Sequence, residues 1–294
     1  MEKKKYLEYI LLFGIVFLFI TIMSKNSFLY RTNDWWDANA FMTVGKAMMQ
    51  GIVPYRDLFE QKGPFLYLIY GVASLISKTN FIGVYFLELL AFFVSLLYLK
   101  KIIQLFFPNT KHLYLAGILF LFSATGLKAF GHGGSAEEFT LPFMMMSLYS
   151  LLHFLKTESI SKKDIFINGF IAGIVLWTKY SLLGFWFIFE ASVFFIHLIK
   201  KEIKKALLSS VLFLSGMCIS SLPWIFYFGI HHALPSLFNV YFLTNMTSYA
   251  KKTSLLMKLA KAIGLLFYNL VSQPAYFLFI TLPIPFFLKQ KSTL

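Results

Sequence analysis

Residues 64–77 read PFLYLIYGVASLIS, an apolar run bracketed by Lys62 and Lys78. Whether it crosses a bilayer decides how the whole chain is threaded. A helix needs about 20 residues to span about 30 Å of hydrocarbon. This run is shorter and opens on Gly63-Pro64, which favours a re-entrant or surface-lying segment. The alternative is that it spans and leaves one basic cluster facing outward.

Outward from that stretch, apolar runs recur at 6–23, 81–99, 113–130, 139–155, 165–178, 182–199, 206–228 and 262–288. The 294 residues are 58% hydrophobic and 14% charged, more apolar than a soluble domain of this size can bury. The expected fold is all-α: a polytopic transmembrane bundle of about eight spans, one membrane-embedded domain over residues 1–294. The alternating pattern of an outer-membrane barrel is absent.

The net charge of +14 comes from lysine clusters set between the runs: Lys3/Lys4/Lys5, Lys100/Lys101/Lys111, Lys156/Lys162/Lys163, Lys200/Lys201/Lys204/Lys205 and Lys289/Lys291. That placement follows the positive-inside rule and implies no nucleic-acid partner. If 33–80 makes no net crossing, every cluster falls on the cytoplasmic side with the N-terminus. Run 6–23 is long for a signal peptide and no A-x-A site follows, so it reads as an uncleaved first span. The outer loops are then 25–80, 131–138 and 229–261, in a multi-pass protein of the plasma or inner membrane. The single cysteine, Cys218, allows no internal disulfide and reads as packing.

Six of the thirteen acids, Asp34, Asp37, Asp57, Glu60, Glu137 and Glu138, fall in the first two outer loops. Asp and Glu contribute little to orientation, so their clustering invites a chemical explanation. In NDWWDANAFMTVGKAMMQGIVPYRDLFEQKGPF (33–65), Asn33 or Asp34 is placed to cap a helix that stops at Gly51. Asp37, Phe41, Val44 and Met48 share one face of that helix, which would lie on the membrane surface with Met and Phe in lipid or against neighbouring helices. Asp37 is either a site carboxylate or an acid favoured by the helix dipole. Arg56 and Lys62 suit phosphate oxygens, or else are solvated loop charges. Glu60 could hold a divalent cation or neutralise Lys62. His132, beside Glu137 and Glu138, reads as a metal ligand or a polar loop residue, and Lys179 as a phosphate contact or a snorkelling side chain. His231 and His232 cannot share a helical face, and no strongly spaced metal motif exists. Glu88 and Glu190 lie within spans, where acids either serve function or pair inside the bundle.

The order of a basic N-terminus, one helix, an acidic motif, an amphipathic helix, GIVPYRD and then EQKGPFLY resembles the first external loop of GT-C glycosyltransferases. These are the polyprenyl-phosphate-sugar-dependent enzymes that include protein O-mannosyltransferases and the lipid A aminoarabinose transferase. Asp37 matches the acidic position, and FEQKGPFLY the turn, with Gly63 where many members have proline. HGGSAEEFTLPF resembles the second acidic motif, through Glu137 or Glu138, and GFIAGIVLWTKYSLLG the helix ending in Thr-Lys. The similarity covers roughly residues 1–200. Most members are longer, so the chain is a short form or a truncated product.

The resemblance implies an inverting transfer of a sugar from a polyprenyl phosphate to a cell-envelope glycan, glycolipid or polymer on the outer face. Asp37 would be the base, with Lys62, Arg56 and Lys179 at the phosphate. Glu137 or Glu138 would orient the acceptor, with Asp34 and Asp57 supporting. A divalent metal would fall to Glu60 and His132. The competing expectations are a transporter or flippase for a lipid-linked sugar, using Glu88 and Glu190, and a non-catalytic GT-C-like scaffold.

Overall fold

The computed structural model describes residues 2–108, 117–120, 130, 132–248 and 255–272. Among them the regular structure is helical, and the one β-type contact is an isolated bridge between Pro54 and Leu58. The expected all-α class is therefore observed. The chain divides into two compact units, Met1–Thr244 and Asn245–Leu294.

The first unit runs α1 (Glu2–Met23), α2 (Trp36–Met49), α3 (Pro64–Ile76), α4 (Ile82–Phe106), α5 (Ala136–Thr157), α6 (Lys162–Lys179), α7 (Gly184–Ile199), α8 (Ile203–Ile230) and a short α9 (Leu234–Leu237) leading into a π-helical turn, Phe238–Thr244. The second unit holds α10 (Asn245–Ser248) and α11 (Leu255–Ser272). Residues 234–248 of the expected last outer loop are thus helical. Gly131, Lys111, Lys251, Lys252, Lys289, Lys291, most of run 113–130 and run 262–288 past residue 272 lie outside the described residues.

Four helical segments are long and apolar enough to cross a membrane: Tyr6–Met23, Ile82–Phe106, Lys162–Leu182 and Ile203–Ile230. Eight spans are not shown among the described residues. Run 182–199 becomes α7, which at 1.5 Å per residue is about 24 Å long, short of about 30 Å of hydrocarbon. A 3₁₀ turn at Tyr180–Leu182 delays its start, and Lys201 at φ 60° follows its end. Run 64–77 becomes α3, about 20 Å long and shorter still. Run 139–155 lies inside α5, which carries Glu137, Glu138 and Lys156 and a proline, Pro142.

Local chemistry sets the helix starts. Ser135 Oγ accepts the Glu138 N–H at 3.2 Å, and Ser161 Oγ accepts the Asp164 N–H at 3.0 Å, so both serines cap. Pro64 occupies the first turn of α3, where its missing N–H costs nothing. The expected cap of α2 is not found. Its N-cap is Trp35, without a side-chain cap bond. Asp34 is drawn away by Lys25, at 2.6 Å, while Asn33 Oδ1 accepts the Trp35 N–H at 2.9 Å and Asn33 Nδ2 donates to Asn26.

The shared face of α2 lies against protein. Phe41 and Val44 are buried in one core cluster with Leu66, Tyr67 and Tyr70 of α3, and Met48 packs at its edge. A second cluster joins α1 to α4 through Leu12, Val16, Ile20 and Phe92. A third joins α5, α6, α7 and α8 through Phe154, Val175, Trp186 and Phe213. The most extensive helix pair is α6 with α8. There a Cβ on Gly169 would overlap the Phe213 carbonyl, so the two backbones touch.

Candidate functional site

Asp37 stands in the first turn of α2, where the helix dipole favours an anion. Its Oδ2 lies 3.8 Å from Lys62 Nζ, and the ammonium also sits 5.7 Å from the centre of the Phe41 ring. Asp37 is about half exposed. An ion pair this accessible to water is worth only about 0–1 kcal/mol.

The loop that delivers Lys62 is tied down at several points. Tyr55 holds φ 68°, a left-handed conformation costly for a tyrosine, about 1–3 kcal/mol. Its N–H donates to the Leu58 carbonyl at 2.8 Å, its hydroxyl donates to the Lys62 carbonyl at 2.5 Å, and its ring is buried against Phe228 and Tyr241. Asp57 Oδ2 accepts the Val53 N–H at 2.8 Å, and both its oxygens accept from Arg56. The Arg56 fork, then the Val53 N–H, hold the Asp57 carboxyl down at about 2. Arg56 also donates to the His231 carbonyl at 2.7 Å, bracing the end of α8. Arg56 and Asp57 therefore shape the loop.

Glu60 Oε2 accepts the Lys62 N–H at 3.0 Å and the Tyr67 hydroxyl. His132 stacks on Trp35 and stands 3.9 Å from Asp34. Glu60 and His132 thus have separate partners. Among the described residues, no group of three or more His, Cys, Asp or Glu is placed to hold a metal ion.

The decisive junction lies one residue past Lys62. The Gly63 N–H donates to the Thr178 carbonyl at 3.0 Å, and a Cβ on Gly63 would run into the Trp177 carbonyl. A proline at 63 could not make that bond, which accounts for glycine in the turn. Lys179, the next residue along α6, pairs with Glu137. The Trp177 indole donates to Ser221 at 2.8 Å, and Tyr241 accepts the Tyr180 N–H at 3.1 Å while donating to the Leu176 carbonyl, so the end of α6 is fixed from two sides. The structure thus joins two ion pairs, Asp37–Lys62 and Glu137–Lys179, through one backbone hydrogen bond.

Glu138 is not in that group. It is buried, its Oε2 accepts the Gly134 N–H at 2.6 Å, and it lines a small cavity together with Glu88. Ser24 donates to Glu88 at 2.8 Å, and Tyr70 donates to the Gly134 carbonyl at 2.8 Å. Sequence reasoning left Ser24, Asn26 and Tyr70 out. The one available signal was Ser135-x-x-Glu138, the spacing of a capping box, which marks Glu138 as the structural acid of the pair. Glu190, on α7, accepts from Ser209 and Ser210 of α8.

Residues 2–272 match the family model described as "Putative competence-induced protein Ccs4 N-terminal domain". No curated protein and no solved structure matches the chain.

Proposed function

From the premise that the chain belongs to the Ccs4 N-terminal domain family, whose description names no reaction, we propose that it is a membrane glycosyltransferase. It moves a sugar from a polyprenyl phosphate to a hydroxyl of a cell-envelope glycan, glycolipid or polymer. The observation that supports this reading is the junction of Asp37–Lys62 with Glu137–Lys179 across the Gly63–Thr178 hydrogen bond. The resemblance of the two acidic motifs to those of GT-C enzymes supplies the reaction.

Donor phosphate takes the place of Asp37 beside Lys62 and is shared with Lys179. Asp37, freed, accepts the proton of the attacking hydroxyl. The new bond forms at the anomeric carbon as the bond to phosphate oxygen breaks, which inverts the centre. The two ammonium groups take up the charge on the departing lipid phosphate. Glu137 orients the acceptor once Lys179 has turned to phosphate. The test is transfer of labelled sugar from polyprenyl-phosphate donors to membrane acceptors by the purified protein in liposomes. Lack of transfer from every donor of that class sinks the reading.

The N-terminus and the lysines before α6, Lys156, Lys162 and Lys163, lie in the cytoplasm and the site faces outward. In a Cys218→Ser background, a cysteine at exposed Thr32 should react with an impermeant thiol reagent applied to intact cells. One at exposed Ser159 should react only after permeabilisation. The opposite pattern places the site on the cytoplasmic face.

One observation favours a second reading. Lys62, Lys179 and Arg56 each already face a carboxylate. A scaffold that binds the sugar lipid without turnover would look the same, and it is separated from the enzyme by donor binding in the absence of transfer.

A further inference from the structure

Three polar atoms converge on the point where a Cβ of Gly133 would sit: Ser24 Oγ, Glu88 Oε1 at 2.6 Å and Asn26 Nδ2 at 3.0 Å. Gly133 has φ +83°, and only the missing side chain lets the turn pass this close. Beside it lies a cavity of about 10 Å³ lined by Ser24, Glu88, Gly133 and Glu138. Glu88 and Glu138 are 1% and 2% exposed, and both carboxyls line this one cavity. Glu88 Oε1 and Asn26 Nδ2 are both buried and have no hydrogen-bond partner among the described residues.

Two buried carboxyl groups on one cavity this small need either a cation or a proton between them. The Asn26 amide decides which. Its Oδ1 accepts from Asn33 Nδ2 at 2.7 Å, and Asn33 is itself fixed because its Oδ1 accepts the Trp35 N–H. Asn26 therefore presents its NH₂ group to the site, and a donor repels a metal cation. Among the described residues neither carboxylate forms an ion pair; Lys25, the lysine of the same turn, is held by Asp34. The titratable groups that face the pair are phenols, Tyr70 of α3 and Tyr85 of α4. Asp37 acts on Tyr70 from α2, and His132 of the turn faces Asp34.

We propose that Glu88 and Glu138 form a buried proton-binding site in which one proton is shared between the two carboxyls and one water bridges the Asn26 amide to Glu88 Oε1. The cavity is the size that admits about one water. The bridging water accepts from Asn26 and donates to Glu88, which satisfies both unpartnered atoms. The site uses neither Lys62 nor Lys179, whose carboxylate partners are Asp37 and Glu137.

The folded protein then holds a proton that the unfolded chain releases above about pH 4.3, the value of a free glutamate. Folded protein binds more protons in that window, so stability falls as pH rises. The slope is about tenfold in the folded-to-unfolded ratio per pH unit for one proton, and it ends where the pair itself ionises.

Infrared spectra of the wild-type protein in liposomes at neutral pH should contain the C=O stretch of a protonated carboxylic acid. Glu88→Gln together with Glu138→Gln should remove it, while Glu190→Gln should leave that component in place. Equilibrium unfolding of wild type should show the falling slope with pH, and Glu88→Gln, which keeps the shape of the neutral form, should flatten it. Absence of the band from wild type overturns the proposal without reference to any variant. So does stabilisation of wild type, but not of the double variant, by sodium or calcium, because the site would then be a cation site. No sugar transfer is measured, so the glycosyltransferase reading stands or falls separately.

Discussion

Asp37→Asn should lower sugar transfer by about a hundredfold to ten-thousandfold, the range for losing a general base, with donor binding equal to wild type or tighter. Asparagine keeps the shape of the side chain and its place in the first turn of α2, but it takes up no proton. It also releases Lys62, which stands 3.8 Å from the Asp37 carboxylate, so the ammonium is freer to meet phosphate. Lys62→Ala should behave differently. It removes a charge-assisted contact to phosphate, the stronger class of hydrogen bond, so donor affinity and rate both fall. Donor binding and turnover are measured separately on both variants in reconstituted protein. Near-wild-type turnover in Asp37→Asn would reduce Asp37 to a helix-dipole acid.

The second large effect concerns the backbone contact of α6 with α8. Gly169→Val should destabilise the fold by about 3 kcal/mol, the upper end for overpacking, because the neighbour in the way is the Phe213 carbonyl and not a side chain able to turn aside. The damage should reach the site. α6 carries Thr178 and Lys179, and the end of α8 carries the His231 carbonyl that holds Arg56. Separating the two helices therefore loosens both ion pairs together. Equilibrium unfolding in detergent reads the loss; a wild-type midpoint for Gly169→Val would show that the helices part without penalty.

The sequence made the local features readable. Helical periodicity placed Asp37 with Phe41 and Val44, and the short run after Gly63-Pro64 is indeed a short helix. What it could not show were contacts made across long sequence distances. Nothing local says that the Gly63 N–H will meet Thr178, yet that bond unites Lys62 with Lys179. Nor do two adjacent glutamates reveal that Glu137 turns to Lys179 while Glu138 turns to Glu88. Asp34 does not cap α2; it pairs instead with Lys25, nine residues back, and Trp35 takes the N-cap position. The three bonds of Arg56, two to Asp57 beside it and one to the His231 carbonyl, form only once the loop closes. Nor does composition say where α7 begins, because a 3₁₀ turn at Tyr180–Leu182 sets its start.

The burial of α2 on α3 carries one more consequence. A surface helix whose apolar face rests in lipid floats, and its height follows the thickness and composition of the bilayer. Here Phe41 and Val44 are spent on Leu66, Tyr67 and Tyr70, so the helix is moored to the bundle. The place of Asp37 is then set by the bundle, and the packing that holds Phe41 and Val44 also keeps the carboxylate beside Lys62.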